Sequence, residues 1–329
     1  PQGSLAAQVI GFTSSDGTGL YGLEFQYNEQ LAGIAGKYIT ARDSNGKELP
    51  YEYESYVAAQ NGLNVTTTLN SYVQSVLEKQ LQTTLTESGA QNRVCGIVMN
   101  VKTGAILAMG VAPSFDLNSP WTLNTQSLEK LNASGYAEDS DEYTALKREL
   151  LLETWSNKAI TEIYMPGSTF KIITVSMALE DKLVNMTERF FCSGAYSVAG
   201  RTIHCHKTTG HGSLDLAGGL QQSCNPVMMM LGGRIGTQRF YKYVKQYGYL
   251  EKTGIDLPGE GTSIFYKEDR FREIDLAVSS FGQNFKISPI QHITAIAAVA
   301  NGGNLVEPYL VERISDENGK TVYEHGTVV

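Results

Sequence analysis

The segment Tyr164-Met165-Pro166-Gly167-Ser168-Thr169-Phe170-Lys171 constrains the chain more than any other. Pro166 and Gly167 form a turn, and apolar residues follow at Ile172, Ile173, Val175, Met177, Ala178 and Leu179, which predicts a buried helix. Ser168 and Lys171 then fall in its first turn. Their i, i+3 spacing puts both on one face, with the hydroxyl in reach of the amine. Such a pair suits a serine nucleophile with a lysine as base. The helix N-terminus adds a positive field where an attacked carbonyl gathers negative charge. An ordinary lysine titrates near 10.4, so base duty at neutral pH costs roughly 4 kcal/mol. Burial in a cleft and a neighbouring cation supply that.

Ser-x-x-Lys alone recurs by chance, and a capping serine followed by a surface lysine is the plain alternative. A second element changes the weight: Ser223-Cys224-Asn225 lies downstream, immediately before Pro226. By itself it reads as a polar turn. With both motifs in this order, the chain resembles the penicillin-binding proteins, the serine D,D-transpeptidases of cell-wall synthesis. The resemblance runs from Leu5-Ala6-Ala7 through the strand-like runs Val94 to Val101 and Ala105 to Val111. It continues to Phe281-Gly282-Gln283, ahead of an apolar helix from Ile293 to Asn301.

The resemblance implies an α/β (α+β) transpeptidase fold of the penicillin-binding and serine β-lactamase type, with a central antiparallel sheet between helical layers. Residues 1–62 would belong to a small N-terminal pedestal and residues 63–329 to the transpeptidase domain. The class implied is B, monofunctional, of the cell-division or sporulation type. Ser168 would be acylated with loss of the terminal D-Ala of a peptidoglycan stem peptide, and an amine of a neighbouring stem peptide would then resolve the acyl-enzyme. Lys171 would be the base, Ser223 would relay the proton to the leaving amine, and Asn225 would hold Lys171 and the substrate amide. β-Lactam antibiotics would acylate the same serine, and the chemistry needs no cofactor. A D,D-carboxypeptidase or β-lactamase on the same fold is the nearest competing enzyme, and a non-catalytic penicillin-recognising sensor or scaffold is the competitor from another class.

The family's third motif, a Lys-Thr-Gly on the strand edging the cleft, is expected after the Phe-Gly-Gln block, where this sequence has none. The two triplets present, Lys102-Thr103-Gly104 and Lys252-Thr253-Gly254, sit in a hairpin turn and a loop and are assigned to neither cleft wall. The expectation is therefore a transpeptidase domain lacking its C-terminal strands. The motif's strand would supply a second oxyanion donor, worth about 10²–10³ in rate.

The net charge of −8 and pI near 5.3 argue against nucleic acid and against a polybasic membrane surface. No apolar run is long enough for a transmembrane helix or signal peptide. A membrane anchor outside this chain, a place on the extracellular face of the bacterial cytoplasmic membrane and a membrane glycosyltransferase partner are expected from the resemblance alone.

Other elements follow from local pattern. Ala7 to Phe12 and Gly62 to Leu69 read as strands, and Asp43 to Lys47 as a tight hairpin turn. Asn70 reads as the N-cap of a helix carrying Val73, Val76, Leu77, Leu81 and Leu85. Tyr143 to Leu152, Leu214 to Leu231 and Phe240 to Tyr249 read as helices.

Four cysteines and five histidines are few, yet Cys192, His204, Cys205, His206, His211 and Cys224 cluster in one stretch. Reading Thr202 to His206 as a strand turns Cys205 away from His204 and His206, toward Cys192 on a preceding strand. His211 arrives from a Gly-His-Gly turn. Cys224 lies between two residues that must face the cleft, so its side chain points behind the site. Cys192, Cys205, His211 and Cys224 thus suit a structural Cys₃His zinc site. A Cys192–Cys205 disulfide and unlinked buried thiols are the alternatives.

Overall fold

Val94–Met99 and Ile106–Ala112 form an antiparallel hairpin, in register from Val94 opposite Ala112 to Val98 opposite Ala108, with the register shifting before Met99 meets Ile106. The structure is a computed structural model that describes residues 1–39, 55–90 and 92–329. Asn70 caps the helix Ser71–Glu87 as the sequence predicts, its side chain accepting the backbone N–H groups of Tyr72 and Val73. That helix lies on the hairpin at paired Gly96 and Gly110. A β-carbon at Gly96 would meet Leu77 Cδ1 at 2.8 Å, so glycine there lets Leu77 lie directly against the strand. Alternation along the strand sends the neighbouring Met109 to the other face. There it packs with Ile106, Ile160, Ile290 and Leu310. The hairpin is thus an antiparallel sheet between helical layers, the expected architecture.

Ala6, Val9 and Leu23 belong to the same core as Met109 and Ile290. Residues on both sides of the expected 62/63 boundary therefore share one core. Ala7 to Phe12 also departs from the strand reading: Ala7–Ile10 is one helical turn. Left-handed Ala6 (φ 53°) leads into it and Gly11 (φ 77°) closes it. A side chain at Gly11 would collide with Tyr21 O at 1.8 Å. A run this short has no periodicity to separate a turn of helix from a strand. The expected turn at Asp43 to Lys47 lies outside the described residues.

A three-stranded sheet places Val311–Ser315 between Asn64–Thr67 and Thr321–Glu324. The helix predicted over 143–152 spans Asp141–Trp155, with Ser140 as its cap. The span read as one helix from Leu214 to Leu231 is a strand and two helices: Gly212–Asp215, Leu216–Gln221 and Asn225–Ile235. Asp215 caps the first helix through the Gly218 N–H at 2.7 Å, and Ser223 at φ 49° breaks the chain before the second. The helix expected at 240–249 is Thr237–Gln246. The last helix, Pro289–Ala300, starts earlier than Ile293 because Ser288 and Gln291 form a capping box. No helix of the described residues is long and apolar enough to cross a membrane.

Candidate active site

The serine motif begins as a 3₁₀ turn, Gly167–Phe170, and passes into the helix Lys171–Glu180. Short 3₁₀ segments have poor hydrogen-bond geometry, so their position depends on ties to the surroundings. Two ties come from the Phe281-Gly282-Gln283 turn and the residues after it. The Gly167 N–H donates to Gly282 O at 2.8 Å, and Tyr164 and Ile287 exchange backbone hydrogen bonds at 2.9 and 3.0 Å. A β-carbon at Gly282 would sit 2.0 Å from Gly167 O, so no other residue permits this approach. One helical turn further on, Thr174 Oγ1 donates to Ser280 O at 2.8 Å.

The four residues picked from the sequence converge. Lys171 Nζ lies 3.1 Å from Ser168 Oγ, 2.8 Å from Ser223 Oγ, 2.6 Å from Ser223 O and 2.8 Å from Asn225 Oδ1. Ser223 Oγ is 2.8 Å from Ser168 Oγ, closing a triangle of hydroxyl, hydroxyl and amine. Ser168 is exposed at the surface, whereas Lys171 is 1% exposed. Ser223 reaches both partners from a left-handed backbone (φ 49°), a conformation costly for a residue with a β-carbon and concentrated at functional sites. Pro226 at the start of the following helix fixes the turn's exit.

Burial lowers the Lys171 pKa from 10.5 to about 8. A neutral amine has two protons and a lone pair. It can donate to Ser223 O and Asn225 Oδ1 while the lone pair receives a proton from either serine hydroxyl. The cluster can therefore generate an alkoxide-like Ser168 and pass its proton on through Ser223. Acylation of Ser168 by a penicillin is accordingly expected to speed up as pH rises and to level off above about 8. Second-order labelling rates measured from pH 6 to 9.5 check this, and a flat profile would remove Lys171 as the base.

Neither Lys-Thr-Gly triplet reaches the cluster. Thr103 and Gly104 turn back on Asn100, and Glu260 accepts hydrogen bonds from Thr253 and from the Gly254 N–H. Both remain unassigned to the cleft.

Behind the Ser-x-Asn turn, Cys192, Cys205, His211 and Cys224 place one ligand atom each within 4.8 Å of the others. The three cysteines are 0–2% exposed and unbridged, and Cys224 points away from the cleft as expected. Cys192 Sγ and Cys205 Sγ each lie 3.6 Å from His211 Nδ1. Tetrahedral zinc with its usual bond lengths puts sulfur and nitrogen about 3.6 Å apart, so the donor set fits the ion. The route to this geometry differs from the strand argument. Cys192 ends a strand (Arg189–Cys192) paired with Gly212–Asp215, and the strand Arg201–His204 stops just before Cys205. Two separate hairpins therefore deliver the ligands. His204 and His206 are exposed, with His206 Nδ1 3.8 Å from Cys205 Sγ.

Sequence reasoning missed the residues behind the nucleophile. Gly282 was noted only as part of a block, and Thr169, Tyr249 and His292 were not singled out. A histidine among the buried positions of the largely apolar helix Pro289–Ala300 was the available sign.

A hairpin under a long helix, a serine turn leading into a buried helix, and a Ser-x-Asn turn that completes the cluster define a transpeptidase-type domain. The chain belongs to the penicillin-binding protein transpeptidase family, whose profile, "Penicillin binding protein transpeptidase domain", matches residues 94–329. It is 34% identical over 330 residues to stage V sporulation protein D of Bacillus subtilis, covering 100% of this chain and 47% of that protein. It is 25% identical to peptidoglycan D,D-transpeptidase FtsI of Escherichia coli, over 92% of this chain and 46% of that one. Penicillin-binding protein 3 of Mycobacterium tuberculosis, in apo form and complexed with ampicillin, superposes with a TM-score of 0.78 in both cases, at 26% and 27% identity. Those matches cover 99% of this chain and 63% and 62% of the solved ones. The chain spans about half the length of the curated relatives it matches.

Proposed function

We propose that this chain is the catalytic unit of a class B penicillin-binding protein that cross-links peptidoglycan stem peptides. The observation that carries the reading is the buried Lys171 amine held between Ser168 Oγ, Ser223 Oγ and Asn225 Oδ1. Ser168 Oγ attacks the carbonyl of the D-Ala-D-Ala bond and gives its proton to Lys171. The C–N bond breaks, and Ser223 passes that proton to the departing D-Ala amine. The amine of a second stem peptide then attacks the ester and restores Ser168. A β-lactam offers the same carbonyl in a ring, so its leaving amine stays attached and the ester persists. The names of the relatives support this reading, one being a peptidoglycan D,D-transpeptidase and one a sporulation protein. Placement outside the cytoplasmic membrane, a membrane anchor and a glycosyltransferase partner belong to the same proposal.

We further propose that Cys192, Cys205, His211 and Cys224 hold one structural Zn²⁺. Its chemistry is that of a cross-link, joining two hairpins to the turn that carries Ser223 and Asn225. It takes no part in acyl transfer.

Incubation with a D-Ala-D-Ala stem-peptide donor and an amine acceptor is expected to release D-alanine and yield the joined peptide, both followed by mass spectrometry. Release of D-alanine with hydrolysed donor alone would make the protein a carboxypeptidase. Binding of penicillin without release would make it a sensor.

A further inference from the structure

The turn that carries Ser168 is bracketed by a hydrogen-bonded chain that runs from buried Tyr249 and His292 to exposed Thr169 and that the acyl-transfer chemistry does not use. His292 is 6% exposed and Tyr249 fully buried. His292 Nδ1 is 2.9 Å from the Tyr249 hydroxyl, and His292 Nε2 is 2.9 Å from Thr169 Oγ1. Thr169 Oγ1 in turn lies 2.8 Å from Pro166 O. The chain thus ends on the residue after Ser168 and on Pro166, two residues before it. The Phe170 ring packs nearly parallel to the imidazole, with centroids 6.4 Å apart and planes 18° apart.

Proton counting fixes the direction. Tyr249 has one hydroxyl proton and one polar side-chain neighbour, His292 Nδ1, among the described residues. If Tyr249 donates to Nδ1, then the Nε2–H donates to Thr169 Oγ1 and the Thr169 hydroxyl donates to Pro166 O. All three contacts are then satisfied. The reversed order has Nδ1–H donating to Tyr249 and Thr169 donating to Nε2. It leaves the fully buried Tyr249 hydroxyl proton without a partner among the described residues, a desolvation cost that nothing offsets. An imidazolium strands the Tyr249 proton in the same way. Burial independently disfavours that charged form, lowering the His292 pKa to about 4.

We propose that His292, as a neutral Nε2–H imidazole oriented by Tyr249, is a positioning residue for Ser168 and acts through Thr169. A 3₁₀ turn holds itself poorly. The Gly282 carbonyl ties it on one side and the Thr169 hydroxyl on the other, so Ser168 Oγ stays in reach of both Lys171 and Ser223. The rate prediction below rests on the reading of Ser168 as the acylated residue, whereas the tautomer prediction does not.

The test uses His292→Leu, Thr169→Val, their combination, and Thr169→Ser, which keeps the hydroxyl. In wild type, imidazole ¹⁵N spectra at neutral pH are expected to show His292 as the Nε2–H tautomer, with its Nε2 resonance displaced in Thr169→Val. His292→Leu and Thr169→Val should each slow acylation by a fluorescent penicillin about ten- to a hundredfold. The double variant should be no slower than the slower single one, because both break one chain, and Thr169→Ser should stay near wild type. An Nδ1–H tautomer overturns the inference, and so does wild-type labelling in folded Thr169→Val. If His292→Leu fails to fold, the two Thr169 variants carry the rate test. If wild type forms no adduct at Ser168, the transpeptidase reading fails, and the tautomer with its response to Thr169→Val still decides this inference.

Discussion

Ser168→Ala is expected to abolish the covalent β-lactam adduct while leaving the fold intact. Intact-mass analysis of wild type after penicillin treatment should show one added molecule per chain, and the variant none. The substitution removes one oxygen from an exposed side chain, so it creates no buried cavity. It deletes the nucleophile and one corner of the hydroxyl–hydroxyl–amine triangle. Removing the nucleophile of a comparable serine enzyme costs on the order of 10⁶ in turnover, which puts acylation below detection here. The remaining hydroxyl, Ser223, does not substitute, because its left-handed backbone directs it to bridge Lys171 and Ser168. An adduct that persists in Ser168→Ala would remove the serine from the mechanism and leave the lysine cluster without a purpose.

Metal content is the second large effect. The protein as purified should carry about one zinc per chain by elemental mass spectrometry, and Cys224→Ser should lose most of it. Structural zinc contributes directly to folding free energy. If about 4 kcal/mol of that binding reaches the global transition, chelation lowers the melting temperature by on the order of 10 °C. Acylation should fall with it, since Cys224 sits between Ser223 and Asn225 and its anchoring fixes both. His204→Ala is the control, because His204 is exposed on the far side of its strand end and should leave zinc unchanged. A metal-free protein with a Cys192–Cys205 disulfide would rule the ion out.

The cluster Ser168, Lys171, Ser223 and Asn225 was legible because its chemistry depends on residue type at fixed local spacing. Asn70 was legible for the same reason: a cap acts within three residues of itself. What failed depended on contacts distant in sequence. Ala7–Ile10 looked like a strand because its true partner, the hairpin at Ile106–Ala112, supplies the packing that decides its conformation. The turn at Ser223 was legible but its left-handed backbone was not, since no propensity marks a serine forced to positive φ by its partners. Cys192, Cys205, His211 and Cys224 do lie together, although the strand pairing expected to bring them there is not the one observed. Side-chain alternation predicted which way Cys205 faces, but not that the ladder ends one residue earlier. His292 and Tyr249 lie 43 residues apart and meet only in the folded core.

The contact between Gly167 and Gly282 limits how resistance to a β-lactam can arise in this protein. Any side chain at position 282 would push into the backbone that carries the nucleophile, so the rear wall of the cleft cannot be reshaped by a single substitution there without moving Ser168 itself. Mutational freedom lies instead on the approach to the serine. Tyr164 and Met165, which lead into the serine turn, are 41% and 54% exposed. Under the proposed function, substitutions that alter β-lactam acylation without displacing Ser168 are expected at such exposed positions rather than at Gly282.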